Sequence, residues 1–238
     1  MKSSFGKLYL IPTTLGDNEP LEVLPISVKS IVENTKTFIV ENEKTARRFI
    51  KRISPETVQS SLEMYHLNKF TESSDLPSFL EPCLNGVNVG LLSEAGCPSV
   101  ADPGSDVVKI AHQQGIQVVP LVGPSSILLA LMSSGMNGQG FTFNGYLPID
   151  KSERKQELKR LERLSFDYNQ SQIFIETPYR NNKMLEDICS ALHKNTMVCV
   201  ACDITLPTEF IRTKPASAWL KNTEDLHKRP SIFIIHKS

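Results

Sequence analysis

Three short segments carry the residue types that let a ligand lie against main chain. They are Pro12-Thr13-Thr14-Leu15-Gly16-Asp17, Ser93-Glu94-Ala95-Gly96-Cys97-Pro98-Ser99-Val100-Ala101-Asp102-Pro103-Gly104, and Gly123-Pro124-Ser125-Ser126. Small side chains leave backbone groups within reach of a ligand, and proline fixes the shape of the loop that presents them. Other chemistry is poorly provided for. Cys199-Val200-Ala201-Cys202 offers two thiols where a structural zinc needs four ligands, and the strand period of two sends them to opposite faces. His66, His112, His193, His227 and His236 are dispersed without metal-ligand spacing, so no metal is expected. Gly135-Met136-Asn137-Gly138-Gln139-Gly140 lacks the Gly-x-Gly-x-x-Gly spacing and leads into a strand, which makes it a turn.

The elements behind the three loops are legible. Each loop follows a β-rich run, at residues 8–11, 87–92 and 117–121, and further runs lie at 37–40, 141–145, 172–176, 197–201 and 231–236. Helical spacing of apolar residues covers 20–33 (Leu21, Leu24, Val28, Ile31, Val32) and 43–53 (Ala46, Phe49, Ile50, Ile53). Asp102-Pro103 reads as the N-cap and first turn of another helix, and a highly charged helix covers 151–163. Strands interleaved with helices predict an α/β fold with a largely parallel sheet, and such sheets bind ligands at the carboxyl ends of their strands. The break at Pro120-Leu121-Val122-Gly123-Pro124 places a domain boundary near residue 122, giving domains 1–122 and 123–238.

Charge narrows the partners. Among 238 residues, 26 Lys and Arg balance 26 Asp and Glu, so binding to nucleic acid must come from a local patch. Arg47, Arg48, Lys51 and Arg52 form one. Five cysteines, an odd number, do not make a disulfide framework. The start of the chain lacks a signal-peptide pattern, and no stretch approaches the ~20 apolar residues of a membrane span. A cytoplasmic protein is expected, without membrane contact.

With these segments in place, the chain resembles the tetrapyrrole methylase superfamily of S-adenosylmethionine-dependent methyltransferases, and within it the small-subunit ribosomal RNA (cytidine-2′-O)-methyltransferase branch. The likeness rests on the segment from Gly6 to Thr13, the stretch from Leu92 to Gly104, and Pro120 to Ser126. It continues through Ser134-Gly135-Met136, Phe141 to Pro148, and Ile175-Glu176-Thr177-Pro178-Tyr179-Arg180. The resemblance implies a two-domain tetrapyrrole-methylase-like fold, with a mostly parallel N-terminal sheet, a mixed C-terminal sheet and a cleft between. It also implies a homodimer, and S-adenosyl-L-methionine held by Pro12, Ser93, Glu94, Ala95, Gly96, Val100, Ser125, Ser126, Glu176 and Thr177.

The chain departs from that branch at several positions, and its cofactor loops are kept better than its substrate loops. Thr13-Thr14-Leu15-Gly16-Asp17 stands where Pro-Ile-Gly-Asn is usual, and the stretch from Glu41 to Arg48 where Glu-Asp-Thr-Arg is usual. Glu94-Ala95-Gly96 replaces Asp-Ala-Gly, and Cys202-Asp203-Ile204-Thr205-Leu206 replaces Arg-Glu-Leu-Thr-Lys. A ribose hydroxyl is a poor nucleophile at neutral pH and benefits from a base. The candidates are Glu41, Glu43, Glu94, Asp102 and Glu176. Methylation of a ribose 2′-hydroxyl of ribosomal RNA is the leading expectation. Methylation of a small molecule such as a tetrapyrrole, and a dimer that binds cofactor without transferring methyl, are the alternatives.

Overall fold

In the computed structural model, residues 5–221 and 224–238 are described, and they divide into two compact units between Ser125 and Ser126. The first unit runs β1 (Lys7–Ile11), α1 (Pro20–Val23), α2 (Ile26–Glu33), β2 (Thr37–Val40), α3 (Glu43–Ile53), β3 (Glu63–His66), α4 (Glu81–Leu84), β4 (Val89–Leu92), α5 (Ser105–Gln113) and β5 (Gln117–Pro120). Its sheet has the order β3-β2-β4-β1-β5, with every pairing parallel.

Strand alternation divides the core of this unit into two layers. On one face Leu8, Ile39, Val89 and Leu91 pack with Val107 and Ala111 of α5. On the other, Ile11, Phe38 and Val40 pack with Val28 and Val32 of α2 and with Phe49 and Ile50 of α3. The chain leaving β1 and β2 therefore turns onto one face, and the chain leaving β4 turns onto the other. β1 and β4 are neighbours in register, Leu8 opposite Val89. Their diverging exits open a crevice at the carboxyl end of the sheet, where open α/β sheets take their ligands. Gly90 leaves room for the side chains of its two neighbouring strands to close over it: a Cβ there would lie 2.7 Å from Ile11 Cδ1 and 2.9 Å from Phe38 Cδ1.

Two helical expectations change here. The periodicity over 20–33 is real, but the helix breaks: Leu24 is extended (φ −112°) and Pro25 caps α2. A residue preceding proline is pushed out of helical conformation by the proline ring. Asp102 is not a helix cap. The helix begins at Ser105 with Gly104 as N-cap, at φ +134°, a conformation open to glycine.

The second unit runs α6 (Ser126–Ser134), β6 (Phe141–Tyr146), α7 (Lys151–Tyr168), β7 (Ser171–Ile175), α8 (Asn181–Ala191), β8 (Met197–Cys202), β9 (Phe210–Pro215), α9 (Ala216–Trp219) and β10 (Ser231–His236). Its sheet, β6-β7-β10-β8-β9, is mixed: β6 and β7 are parallel and the remaining pairs antiparallel. Leu158 and Leu161 of α7, Met184 and Ile188 of α8, and Trp219 of α9 cover the face that carries Phe174, Val200 and Phe233. Cys202 belongs to this layer, whereas Cys199 points to the opposite face of β8. Asp150 caps α7 by accepting from the Ser152 and Glu153 N–H groups at 2.8 and 3.0 Å. Arg154 of α7 is buried, and its Nε and Nη2 donate to Asp187 Oδ2 of α8 at 3.0 and 2.5 Å. Its Nη1 reaches the Pro148 and Ile149 carbonyls.

Candidate active site at the strand ends of the first unit

The three small-residue loops meet at the carboxyl ends of β1, β4 and β5, and they bind one another directly. The Thr13 N–H donates to the Gly96 carbonyl at 3.0 Å, and the Cys97 thiol lies 3.5 Å from the Pro124 carbonyl. Gly123 packs so closely on the Pro12 ring that a Cβ would fall 2.2 Å from Pro12 Cγ. Gly96 takes φ +77°, and a Cβ there would meet Leu15 and the Pro124 carbonyl at 3.1 and 3.3 Å. These glycines are therefore used to dock loop on loop. Ser93 Oγ donates to the Gly96 carbonyl at 2.5 Å and sits 3.2 Å from Thr13 Oγ1, which closes the base of the site.

What stays open is next to this knot. Glu94, Ala95 and Val100 are exposed and Ser125 is half-buried, so this part of the loops is open to a ligand. That surface fits the flat ring and sugar of S-adenosylmethionine, which need close approach and hydrogen-bonding groups more than charge. Pro12, by contrast, is buried beneath Gly123.

Beside the β4 loop lies a pocket of about 460 Å³ contained wholly in the first unit. One wall is the loop after β1, from Thr13 to Asp17, and a second is Ser93-Glu94-Ala95. The third is one face of α3, formed by Thr45, Arg48, Phe49 and Arg52, whose spacing places them on one stripe of a helix. Thr45 Oγ1 donates to Glu94 Oε1 at 2.7 Å, joining two walls. Thr45 was not anticipated. Its signal was available: a helix entered from the end of β2 must run past the same strand ends as the loops.

The basic run on α3 is divided by its pairings. Arg47 Nε donates to Glu43 Oε1 at 2.7 Å and its Nη1 to the Gln59 carbonyl, and it does not line the pocket. Lys51 Nζ reaches the Pro55 carbonyl. Arg52 is held by Asp17 at 2.6 Å and Glu19 at 3.0 Å. Arg48 is exposed at the pocket wall and makes no hydrogen bond or ion pair among the described residues.

The five candidate carboxylates separate in the same way. Glu43 is pushed below the usual range, chiefly by its hydrogen bond from Arg47, with His66 3.4 Å away. Glu176 is buried in the second unit just after β7, where its Oε1 accepts from Arg180 Nη2 and from the Thr177 N–H, each at 2.6 Å. Thr177 precedes the short helical turn at Pro178–Arg180, and Ser126 opens α6. Glu41, Glu94 and Asp102 form a group in the first unit. Burial, then the negative charges of Glu41 and Glu94, push the Asp102 carboxyl up to about 6, although the Glu94 backbone donates to it.

Comparison with known proteins places this geometry among methyltransferases. The sequence profile described as Tetrapyrrole (Corrin/Porphyrin) Methylases matches residues 7–218. The Ribosomal RNA small subunit methyltransferase I of Bacillus subtilis (strain 168) is 32% identical over 212 residues, spanning 89% of this chain and 68% of that protein. The crystal structure of the methyltransferase CobJ superposes with a TM-score of 0.65 at 15% identity, covering 98% of this chain and 95% of the other. A uroporphyrin-III C-methyltransferase from Thermus thermophilus, solved in complex with S-adenosylhomocysteine, superposes with a TM-score of 0.54 at 13% identity, over 98% of both chains.

Proposed function

The chain belongs to the tetrapyrrole methylase family, and on that footing we propose that it is an S-adenosylmethionine-dependent methyltransferase of small-subunit ribosomal RNA, acting on a ribose 2′-hydroxyl. The observation that carries this reading is the pocket at the ends of β1 and β4, which shares the wall Ser93-Glu94-Ala95 with the open cofactor loop. The similarity to the Bacillus subtilis ribosomal RNA enzyme supplies the acceptor class.

The sulfonium donor brings a methyl group already activated for transfer, so the protein has to hold, align and deprotonate. We assign the cofactor contacts of the first unit to Ser93, Glu94, Ala95, Gly96, Val100 and Ser125, and leave Pro12 to the packing beneath Gly123. The hydroxyl proton must leave as the oxygen gains the methyl group. Among the five candidate carboxylates Asp102 suits this step, because its raised pKa of about 6 lies close to the working pH. Glu43 and Glu176 are committed to Arg47 and Arg180. We further propose a homodimer in the cytoplasm. Large apolar side chains exposed on the second unit, Met132, Tyr146 and Ile149, supply surface for pairing, and the five cysteines are unpaired. No helix among the described residues is long and apolar enough to cross a membrane.

The test is transfer of label from methyl-tritiated S-adenosylmethionine to small-subunit particles, followed by alkaline hydrolysis. Label in alkali-resistant dinucleotides is expected, since a 2′-O-methyl group blocks cleavage of the adjoining phosphodiester. Label released on bases would move the acceptor atom. Label only in a small-molecule extract would replace RNA by a compound such as a tetrapyrrole, and cofactor binding without label would make the protein a non-catalytic module.

A further inference from the structure

We infer that the pocket beside the β4 loop holds one unstacked ribonucleotide of the RNA substrate, and that Arg48 is the side chain that anchors its phosphate. This deepens, and rests on, the RNA reading above. Arg47, Arg48, Lys51 and Arg52 form the basic run of α3, a helix that also carries Lys44 in its first turn. A cation already hydrogen-bonded to carboxylates or carbonyls contributes little further charge to a ligand. Arg47 is occupied by Glu43 and Gln59, Lys51 by Pro55, and Arg52 by Asp17 and Glu19. Arg48 alone of that run has no such partner among the described residues, and it is exposed on the pocket wall, which Lys44 does not line. An arginine fork left open in this way matches the geometry of a phosphate.

The rest of the pocket describes the remainder of the ligand. Leu15, Ala46 and Phe49 give it an apolar side, whereas Thr14, Thr45 and Glu94 give it hydrogen-bonding groups. Its volume of about 460 Å³ lies within the range of sites for single small ligands. Such a cavity takes a flat heterocycle with a polar sugar and one anionic substituent. A tetrapyrrole with several carboxylates would call for several open cations, and the pocket offers one. Sequence-specific recognition of RNA also favours unstacked nucleotides drawn into pockets. The shared segment Ser93-Glu94-Ala95 would then bring acceptor and cofactor side by side, as direct transfer of the methyl group requires.

The test compares Arg48→Ala, Arg48→Lys and Arg47→Ala with the parent, using the full chain. Three quantities are measured: binding of a small-subunit RNA fragment by fluorescence anisotropy across a salt series, methyl transfer to the same fragment, and S-adenosylhomocysteine affinity by calorimetry. Arg48→Ala should weaken RNA binding at low salt by about tenfold or more and flatten the log–log salt slope by about 0.7, the value for one phosphate on a single strand. Arg48→Lys should restore the slope, Arg47→Ala should keep it, and cofactor affinity should stay at the parent value throughout. An unchanged slope in Arg48→Ala, with a parent that binds and methylates RNA, overturns this inference alone. Loss of cofactor affinity in that variant also overturns it, since the guanidinium would then serve the cofactor carboxylate. A parent that neither binds nor labels RNA overturns the reading beneath it as well.

Discussion

Asp102 is where local environment and chemistry meet most directly. Its carboxyl is raised from 3.8 to about 6, first by burial and then by Glu41 and Glu94. Between about pH 4 and pH 6 the native state therefore binds more protons than the unfolded chain, so this group makes stability fall as pH rises through that window. Asp102→Asn removes the buried charge and keeps an oxygen for the Glu94 backbone. It should be more stable than the parent at pH 7.5, by up to about 3 kcal/mol given ~1.4 kcal/mol per pKa unit, and the two should converge near pH 4. Thermal melts at both values check this. Methyl transfer by the same variant should drop by about 10²–10⁴ and lose the acid limb of its pH–rate profile. Asp followed by Pro is a strong helix-start signal, yet the turn runs two residues further because Gly104 alone accepts φ +134°. The three loops were legible because Gly, Pro and Ser act locally. That Gly96 and Gly123 serve loop-on-loop packing was not, since Leu15, Pro12 and Pro124 reach them only through the fold.

Among the elements, α7 and α8 depend on a contact between charges. Asp187 and Arg154 are almost fully buried, and their ion pair also ties the chain entering α7 through the Pro148 and Ile149 carbonyls. Asp187→Ala would leave the guanidinium buried and half-paired, which should cost about 3–5 kcal/mol in urea denaturation. The double variant Arg154→Met with Asp187→Leu should recover much of that loss, because a buried pair can be replaced by apolar side chains at little cost. No sequence pattern announced this pair: Arg154 lies in a run of surface-like charges, and its partner is 33 positions away. β2, α3 and β10 had the bounds expected of them, each having a strong period and a clear edge. β3 and β9 escaped notice. Both are edge strands, at opposite ends of the order in their own sheets. Partly exposed sequences such as Glu63–His66 and Phe210–Pro215, with its Arg212 and Lys214, lack the apolar run that betrays a central strand.

For the molecule as a whole, the sharpest expectation concerns assembly. Sedimentation at micromolar concentration should give twice the chain mass of 26.6 kDa, and Met132→Glu should shift the equilibrium towards the monomer. A parent sedimenting at the mass of one chain would remove the dimer. The order of strands in the first sheet also bears on how the protein is made. β1 precedes β2, β3 and β4 in the chain, but its two neighbours are β4 and β5, with Leu8 facing Val89 and Val118. β2 and β3 can pair with each other as soon as they emerge. Until Val89–Leu92 appears, the nascent sheet is two fragments, a lone apolar strand and a pair, with nothing between them. At about 5–20 residues per second that interval lasts on the order of ten seconds. Throughout it, Leu8, Leu10 and Ile11 are without their partners, and they offer an apolar binding site to whatever chaperone waits at the exit. β4, threaded between β1 and β2, closes the interval, and β5 then completes the sheet at its edge.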